Sequence, residues 1–278
     1  MKNKVIYAVF AAIFPLVGCT QSGGSGSSPE LVVGTVGISV PAEVKAATDT
    51  DDATEVRYIM QAWTVGENGT SGELAFEYVW TGRTVGDGLN EPVRMIPGVY
   101  NILFWADRDA YGSRKDAYNA EDLNNVRVVG LQSGGSGTGE NRYVSGDERD
   151  AFCGVLTNQT FAAGTALNVT LTRPLARVVV ENATAFVEKG DVSLTATGIP
   201  MGYNVLTETP IAGDSQVTIG YGVAAAGTTA VFTDYFFPPV TDFTISGTLT
   251  VGSQTQQLIL TSDDIVANYT TNITLNLN

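Results

Sequence analysis

Short runs of apolar and polar residues, bounded by Gly, Pro, Asn or Asp, cover most of this 278-residue chain. The runs are rich in Val, Thr, Ile and aromatic residues, a composition that favours β-strands, and no long segment repeats apolar residues at the helical spacing. The runs are EVRYIMQAWTV (55–65), LAFEYVW (74–80), YNILFWA (100–106), VRVVGL (126–131), ALNVTLT (166–172), LARVVVENA (175–183), VSLTATG (192–198), TAVFTDYFF (229–237) and FTISGTLTV (243–251). Strands that recur about every 8–15 residues predict an all-β chain of antiparallel sandwiches rather than βαβ units.

Two further runs, near the two ends of the chain, each show a period of two. In LVVGTVGISV (31–40) one face holds Val32, Val36, Ile38 and Val40, with Gly34 between them. In NYTTNITLNLN (268–278) one face holds Tyr269, Thr271, Ile273, Leu275 and Leu277, and the other holds Asn and Thr. Both patterns are typical of half-buried strands. We expect the second strand, which has one free terminus, to be able to leave one sheet and enter another.

The length of the chain after residue 30 is too great for one ordinary seven-stranded sandwich and suits two. Pro174 interrupts a strand ladder, and a new strand begins directly after it. We therefore predict domains over residues 31–172 and 173–278. The Gly-rich, polar stretch at 132–150 predicts a long loop on the surface of the first domain.

The first thirty residues predict export. Two lysines precede an apolar run that is too short for a comfortable transmembrane span, and Leu16–Cys19 resembles a bacterial lipobox. We expect a lipoprotein signal peptide at residues 1–18, lipidation of Cys19, and anchoring of the chain in the outer membrane through several acyl chains. Residues 19–30, rich in Gly and Ser, are predicted to form a flexible tether.

Composition argues against several classes of function. A net charge of −14 excludes binding to nucleic acid by neutralisation of phosphates. The chain has no histidine, which removes Ser-His-Asp triads and the usual catalytic zinc sites, and no acidic pair stands out from the loops. Hence no catalytic residue, metal or cofactor is predicted. The densest acidic run, at 49–55, lacks the Gly and the closing Glu of an EF-hand loop, and a solvated loop is the favoured interpretation over a calcium site.

The chain has two cysteines. If Cys19 carries lipid, Cys153 has no partner within the chain, so no intrachain disulfide is expected. Cys153 lies in the apolar run DAFCGVL, which predicts a buried and unreactive thiol.

Four stretches together resemble the Bacteroidales fimbrillin-like lipoproteins, the subunits of type V pili and their relatives. They are YNILFWADRDAY (100–111), ERDAF (148–152), LTRPLARVVVENA (171–183) and NYTTNITLNLN (268–278). The resemblance runs from about residue 30 to the end. It implies two tandem transthyretin-like or Ig-like β-sandwich domains, export as a lipoprotein, cleavage that removes an N-terminal strand, and polymerisation by strand exchange.

Lys45 is the only basic residue between Lys4 and Arg57, and it follows the first predicted strand. In the light of the resemblance we interpret it as the cleavage site, with Ala46 as the new N-terminus. The alternative is a surface lysine in a loop. The best-known members of the family are cut after arginine, so the protease is expected to be trypsin-like or specific for Arg or Lys.

These features lead to a hypothesis of donor-strand exchange. A cut at Lys45 frees strand 31–40, and the C-terminal strand of another copy, or of a related fimbrial subunit, takes its place. The chain would then be a structural subunit of a fimbria that serves adhesion to an unknown host or bacterial surface ligand, located first on the outer membrane and then in the fimbria. The alternative is a monomeric surface lipoprotein that binds glycan through exposed aromatic side chains. Residues 235–237 could form such a patch, but burial near a strand end is the favoured interpretation of them.

Overall fold

The computed structural model describes residues 30–40, 55–84, 87–108, 116–132, 135–136, 143–213, 216–239 and 244–277. Within these ranges the chain forms strands and two short 3₁₀ helices, Glu67–Gly69 and Gly146–Arg149. The strands are β1 (Val32–Ser39), β2 (Glu55–Val65), β3 (Ser71–Thr84), β4 (Leu89–Met95), β5 (Gly98–Arg108), β6 (Tyr118–Asn119), β7 (Val126–Val128), β8 (Leu131–Gln132), β9 (Gly135–Ser136), β10 (Ala151–Phe161), β11 (Ala166–Thr170), β12 (Ala176–Asn182), β13 (Gly190–Thr197), β14 (Gly202–Asn204), β15 (Thr209–Ile211), β16 (Val217–Ala224), β17 (Ala230–Phe236), β18 (Ile245–Val251), β19 (Gln254–Leu260) and β20 (Thr270–Leu275). The prediction of an all-β chain is confirmed. In this described part of the chain, no helix is both long enough and apolar enough to span a membrane.

Two sheets form the N-terminal sandwich. One has the strand order β11-β1-β4 and the other β10-β5-β2-β3. Alternate residues of β1, β2 and β5 point into one apolar core between these sheets, which includes Ile38, Tyr58 and Phe104.

β5 is buried along almost its whole length because its two faces contact different cores. Ile102 and Phe104 lie in the core of the N-terminal sandwich, whereas Leu103 and Trp105 lie in a second core that is shared with the C-terminal half. A strand buried on both sides reads as a continuous apolar run, which explains the sequence NILFWA.

The C-terminal half repeats the arrangement of two sheets, with orders β17-β12-β20 and β16-β13-β18-β19. A further sheet, of order β15-β14-β7-β6, takes two strands from each half of the chain. Tyr203 of β14 is paired with Val126 of β7, and both side chains lie in the shared core. The division into domains at residues 172 and 173 therefore stays a prediction, because one sheet and one core join the two halves.

Each three-stranded sheet has the same topology. The first strand of its half lies at the centre, an antiparallel strand lies on one side, and the last strand of its half lies on the other side and runs parallel to it. Thus β1 corresponds to β12, and β11 corresponds to β20. These two pairs run parallel within sheets whose other pairings are antiparallel.

Candidate strand-exchange site

β1 is the central strand of its sheet and is hydrogen-bonded on both sides. It pairs antiparallel with β4 from Val32 to Ile38, and parallel with β11 from Thr35 to Ser39. At its start the amide of Gly164 donates to the carbonyl oxygen of Val33 at 2.9 Å, and at its end the amide of Leu171 donates to the carbonyl oxygen of Ser39 at 2.9 Å. Without β1, β4 and β11 would face each other across a gap one strand wide.

The side chains of β1 alternate as its sequence predicts. Val36 is 0% exposed and Ile38 is 3% exposed, whereas Val33 on the opposite face is 49% exposed. Val32 and Val40 are partly buried against the same core. Burial of Val36 and Ile38 contributes about 3–6 kcal/mol, since each fully buried aliphatic side chain contributes about 1.5–3 kcal/mol.

β20 has fewer hydrogen-bonded neighbours than β1. Among the described strands it pairs with β12 alone, over the six positions from Thr270 to Leu275, and so it forms the edge of its sheet. Leu275 and Leu277 are 2% and 7% exposed, Ile273 is half-buried, and Tyr269 is 67% exposed. The predicted inward face is therefore buried at its C-terminal end and open at its N-terminal end.

Asn182, at the end of β12, fastens the chain beyond β20. Its amide nitrogen donates to the carbonyl oxygens of Thr184 at 2.9 Å and Leu277 at 3.1 Å, and its Oδ1 accepts the amide of Leu277 at 2.8 Å. The side chain is 3% exposed. Asn182 thus acts on Leu277 as a neighbouring strand would, with one donor and one acceptor.

A buried ion pair joins the two halves of the chain. Arg149, 1% exposed, contacts the carboxylate of Asp234 at 3.4 Å and lies over the ring of Tyr143 at 4.7 Å. The hydroxyl of Tyr143 donates to Asp234 Oδ2 at 2.7 Å, and the amide of Tyr235 donates to Oδ1 at 2.8 Å. Burial raises the pKa of the Asp234 carboxyl to about 6, and the attraction of Arg149 offsets only part of that effect.

A second, bidentate ion pair lies nearby. Arg173 donates to Asp150 through Nε at 2.6 Å and NH2 at 2.9 Å, and its guanidinium lies 5.0 Å from the ring centre of Phe152. Both partners come from stretches on which the family resemblance was based, ERDAF and LTRPLAR. These stretches therefore hold the junction between the halves together.

The match to a family model decides the classification. Residues 32–277 match the model of a family of unknown function, DUF6562. This chain belongs to the DUF6562 family. No curated protein matches it.

Several solved structures are similar to this DUF6562 protein. A candidate adhesin from Bacteroides ovatus is 12% identical with a TM-score of 0.48, and the match covers 95% of this chain and 98% of that one. The tip fimbrial protein Mfa3 from Porphyromonas gingivalis, with a C-terminal truncation, is 15% identical with a TM-score of 0.45, over 83% and 81% of the two chains. A fimbrial assembly protein from Parabacteroides distasonis is 10% identical with a TM-score of 0.44, over 88% and 91%.

The predicted functional residues of this DUF6562 protein fall into three groups. Cys19, Lys45 and Ala46 lie outside the described residues, so lipidation and cleavage stay predictions. The two predicted exchange strands correspond to β1 and β20, which the structure places in different sheets, and their exchange stays a prediction. The aromatic patch at 235–237 is at most 1% exposed, and Tyr269 is the only exposed aromatic side chain among the residues that the structure describes. That burial rules out 235–237 as a glycan-binding surface.

Sequence reasoning missed the buried junction. The stretch 132–150 was expected to be a surface loop, but Tyr143, Val144, Arg149 and Asp150 are buried. The signal that could have found it is the charged pattern GDERD set between apolar residues, which pairs with charges far away in the sequence.

Proposed function

We propose that this protein is a structural subunit of a surface fimbria, exported as a lipoprotein and polymerised by donor-strand exchange after proteolysis, and that it serves adhesion. The observation that carries the proposal is the central position of β1, between β4 and β11. Loss of an edge strand would leave a smaller sheet, but loss of this strand leaves two unpaired edges above an apolar core. An incoming strand restores both edges.

The proposed trigger is a cut at Lys45, in the sequence between β1 and β2. While β1 remains joined to the body its effective concentration is on the order of millimolar or higher, and a strand from outside cannot compete with it. A cut turns β1 into a separate peptide that can diffuse away. Which strand fills the groove then depends only on the relative affinities of β1 and the incoming strand for it.

The donor is proposed to be the last strand of another subunit, equivalent to β20. When such a strand moves, it loses its backbone hydrogen bonds to one neighbour, the equivalent of β12. It gains backbone hydrogen bonds to two neighbours, β4 and β11 of the acceptor. The two buried leucines at the end of this chain, Leu275 and Leu277, give the scale: such a pair contributes about 3–6 kcal/mol in either place. Each additional backbone hydrogen bond contributes about 0.5–1.5 kcal/mol. The hydrogen bonds to the second neighbour therefore favour the polymer over the separate subunits.

Digestion of the folded protein with trypsin, followed by N-terminal sequencing, tests the trigger. We expect a new terminus at Ala46 in the wild-type chain and none in Lys45→Gln. Electron microscopy of cells that express either form tests the outcome, with filaments expected only for the chain that can be cut. Filaments that incorporate uncut Lys45→Gln would show that proteolysis is not the trigger.

A further inference from the structure

Gly34 lies at a narrow point of the exchange groove, the space between β4 and β11 that β1 occupies. A Cβ atom built on Gly34 would lie 2.6 Å from Cε2 and 2.8 Å from Cζ of Phe161, and 2.6 Å from the carbonyl oxygen of Thr165. Side-chain carbon atoms do not approach other atoms so closely, so at this position the groove accepts glycine and no other residue unless its wall moves.

The wall at this point is fixed. Phe161 is 0% exposed and ends β10, where it is paired with Gly98 of β5. The carbonyl oxygen of Thr165 accepts the amide of Thr35 at 2.9 Å, a bond that a donor strand in the direction and register of β1 would form again. The turn that carries it is braced internally, because the amide of Ala162 donates to Thr165 Oγ1 at 2.9 Å and the amide of Thr165 donates to the carbonyl oxygen of Ala162 at 3.1 Å.

The C-terminal segment of this chain has nothing that fits this point. Residues 261–278 contain no glycine, so no register and no strand direction can place one there. If the inward face of the segment is aligned with β1 from Tyr269 at position 32, Thr271 falls at position 34. A shift by two residues puts Tyr269 or Ile273 there instead, and a shift by one turns the polar Asn and Thr face into the core.

The geometry points to a donor strand with glycine at its second inward position, and therefore to a strand of a different subunit rather than to residues 261–278 of a second copy of this chain. The sequence VVGTVGIS of β1 is the template: an apolar residue, Gly, then two apolar residues, at alternate positions. The inference rests on the proposed strand exchange and names its partner.

Peptide exchange tests the inference. A recognition sequence for a site-specific protease is inserted after Lys45 in the full chain, the chain is cut, and fluorescent peptides compete with β1 in mild urea. The peptides are residues 30–41, the same peptide with Gly34→Thr, and the same peptide with Gly37→Thr. Gly37 is the matched control. A Cβ there would come too close only to the side-chain oxygen of Asn168, at 2.7 Å, and the nearest backbone atom, the carbonyl oxygen of Leu167, would lie at an ordinary 3.9 Å. Asn168 is exposed and can rotate away.

We expect the Gly34→Thr peptide to bind roughly 5- to 150-fold more weakly than the unaltered peptide, the range that corresponds to forced overpacking of a core, while Gly37→Thr stays near the original affinity. In the same assay the peptide 267–278 with Thr271→Gly should bind more tightly than its unaltered form. Phe161→Ala in the cut protein should reduce the difference in affinity between the Gly34→Thr peptide and the unaltered peptide.

The outcomes separate the two ideas. If the unaltered peptide 30–41 cannot enter the cut protein, strand exchange itself fails, and this inference fails with it. If it enters and Gly34→Thr enters equally well, strand exchange stands and the requirement for glycine is wrong.

Discussion

The hydrogen bonds between Asn182 and Leu277 predict how much Asn182 contributes to the free energy of opening β20. Asn182→Ala removes three hydrogen bonds, two of them to the backbone of Leu277. Only the two bonds to Leu277 are broken when β20 opens, so at about 1 kcal/mol for each bond the free energy of opening should fall by about 2 kcal/mol. The open population of β20 would rise roughly 30-fold, since each 1.4 kcal/mol is a factor of ten.

Native-state hydrogen exchange measures this opening residue by residue. We expect the amides of β20 and the amide of Leu277 to lose protection in Asn182→Ala, while central strands of the other sheet, such as β13, remain better protected than β20. Asn272→Ala is the matched control, because Asn272 lies on β20 with its side chain exposed, and it should change protection little. The reasoning is refuted if β20 opens only together with the whole molecule, or if Asn182→Ala leaves its protection unchanged.

Three further predictions concern other parts of the molecule. Ile38→Ala should lower the free energy of unfolding by about 2–4 kcal/mol in urea titrations, whereas Val33→Ala should change it by about 0.5 kcal/mol or less, because only Ile38 is buried. Burial raises the pKa of Asp234 to about 6, so the folded state binds this proton more tightly than the unfolded chain does. The free energy of unfolding should therefore fall as the pH rises from about 4 to about 6 and then level off. Asp234→Asn should remove this pH dependence. Cys19→Ala should abolish incorporation of labelled palmitate in cells, and a labelled variant would contradict the lipidation site.

Much of the strand content could be predicted from local pattern alone. β1 and β20 alternate apolar and polar residues, and their buried positions follow that alternation. β5 was also predictable, since a continuous apolar run of this length fits a strand buried on both faces.

Pairing across long distances could not be predicted in the same way. Nothing local in β1 indicates that it runs parallel to β11, more than a hundred residues away, because alternation fixes which face is buried and not which strand lies beside it. For the same reason, the sequence alone does not predict the role of Gly34. Its need for glycine comes from Phe161 and Thr165, which only the fold brings to it.

The central claim is that β1 and a donor strand compete for one groove. Native mass spectrometry of the cut full chain, mixed with an isotopically labelled peptide 30–41 as donor, tests it most directly. We predict that each body carries either its own β1 or the labelled strand, and never both, and that the uncut chain takes up no label. Bodies that carry both strands at once, or uncut chains that bind the label equally well, would contradict the claim.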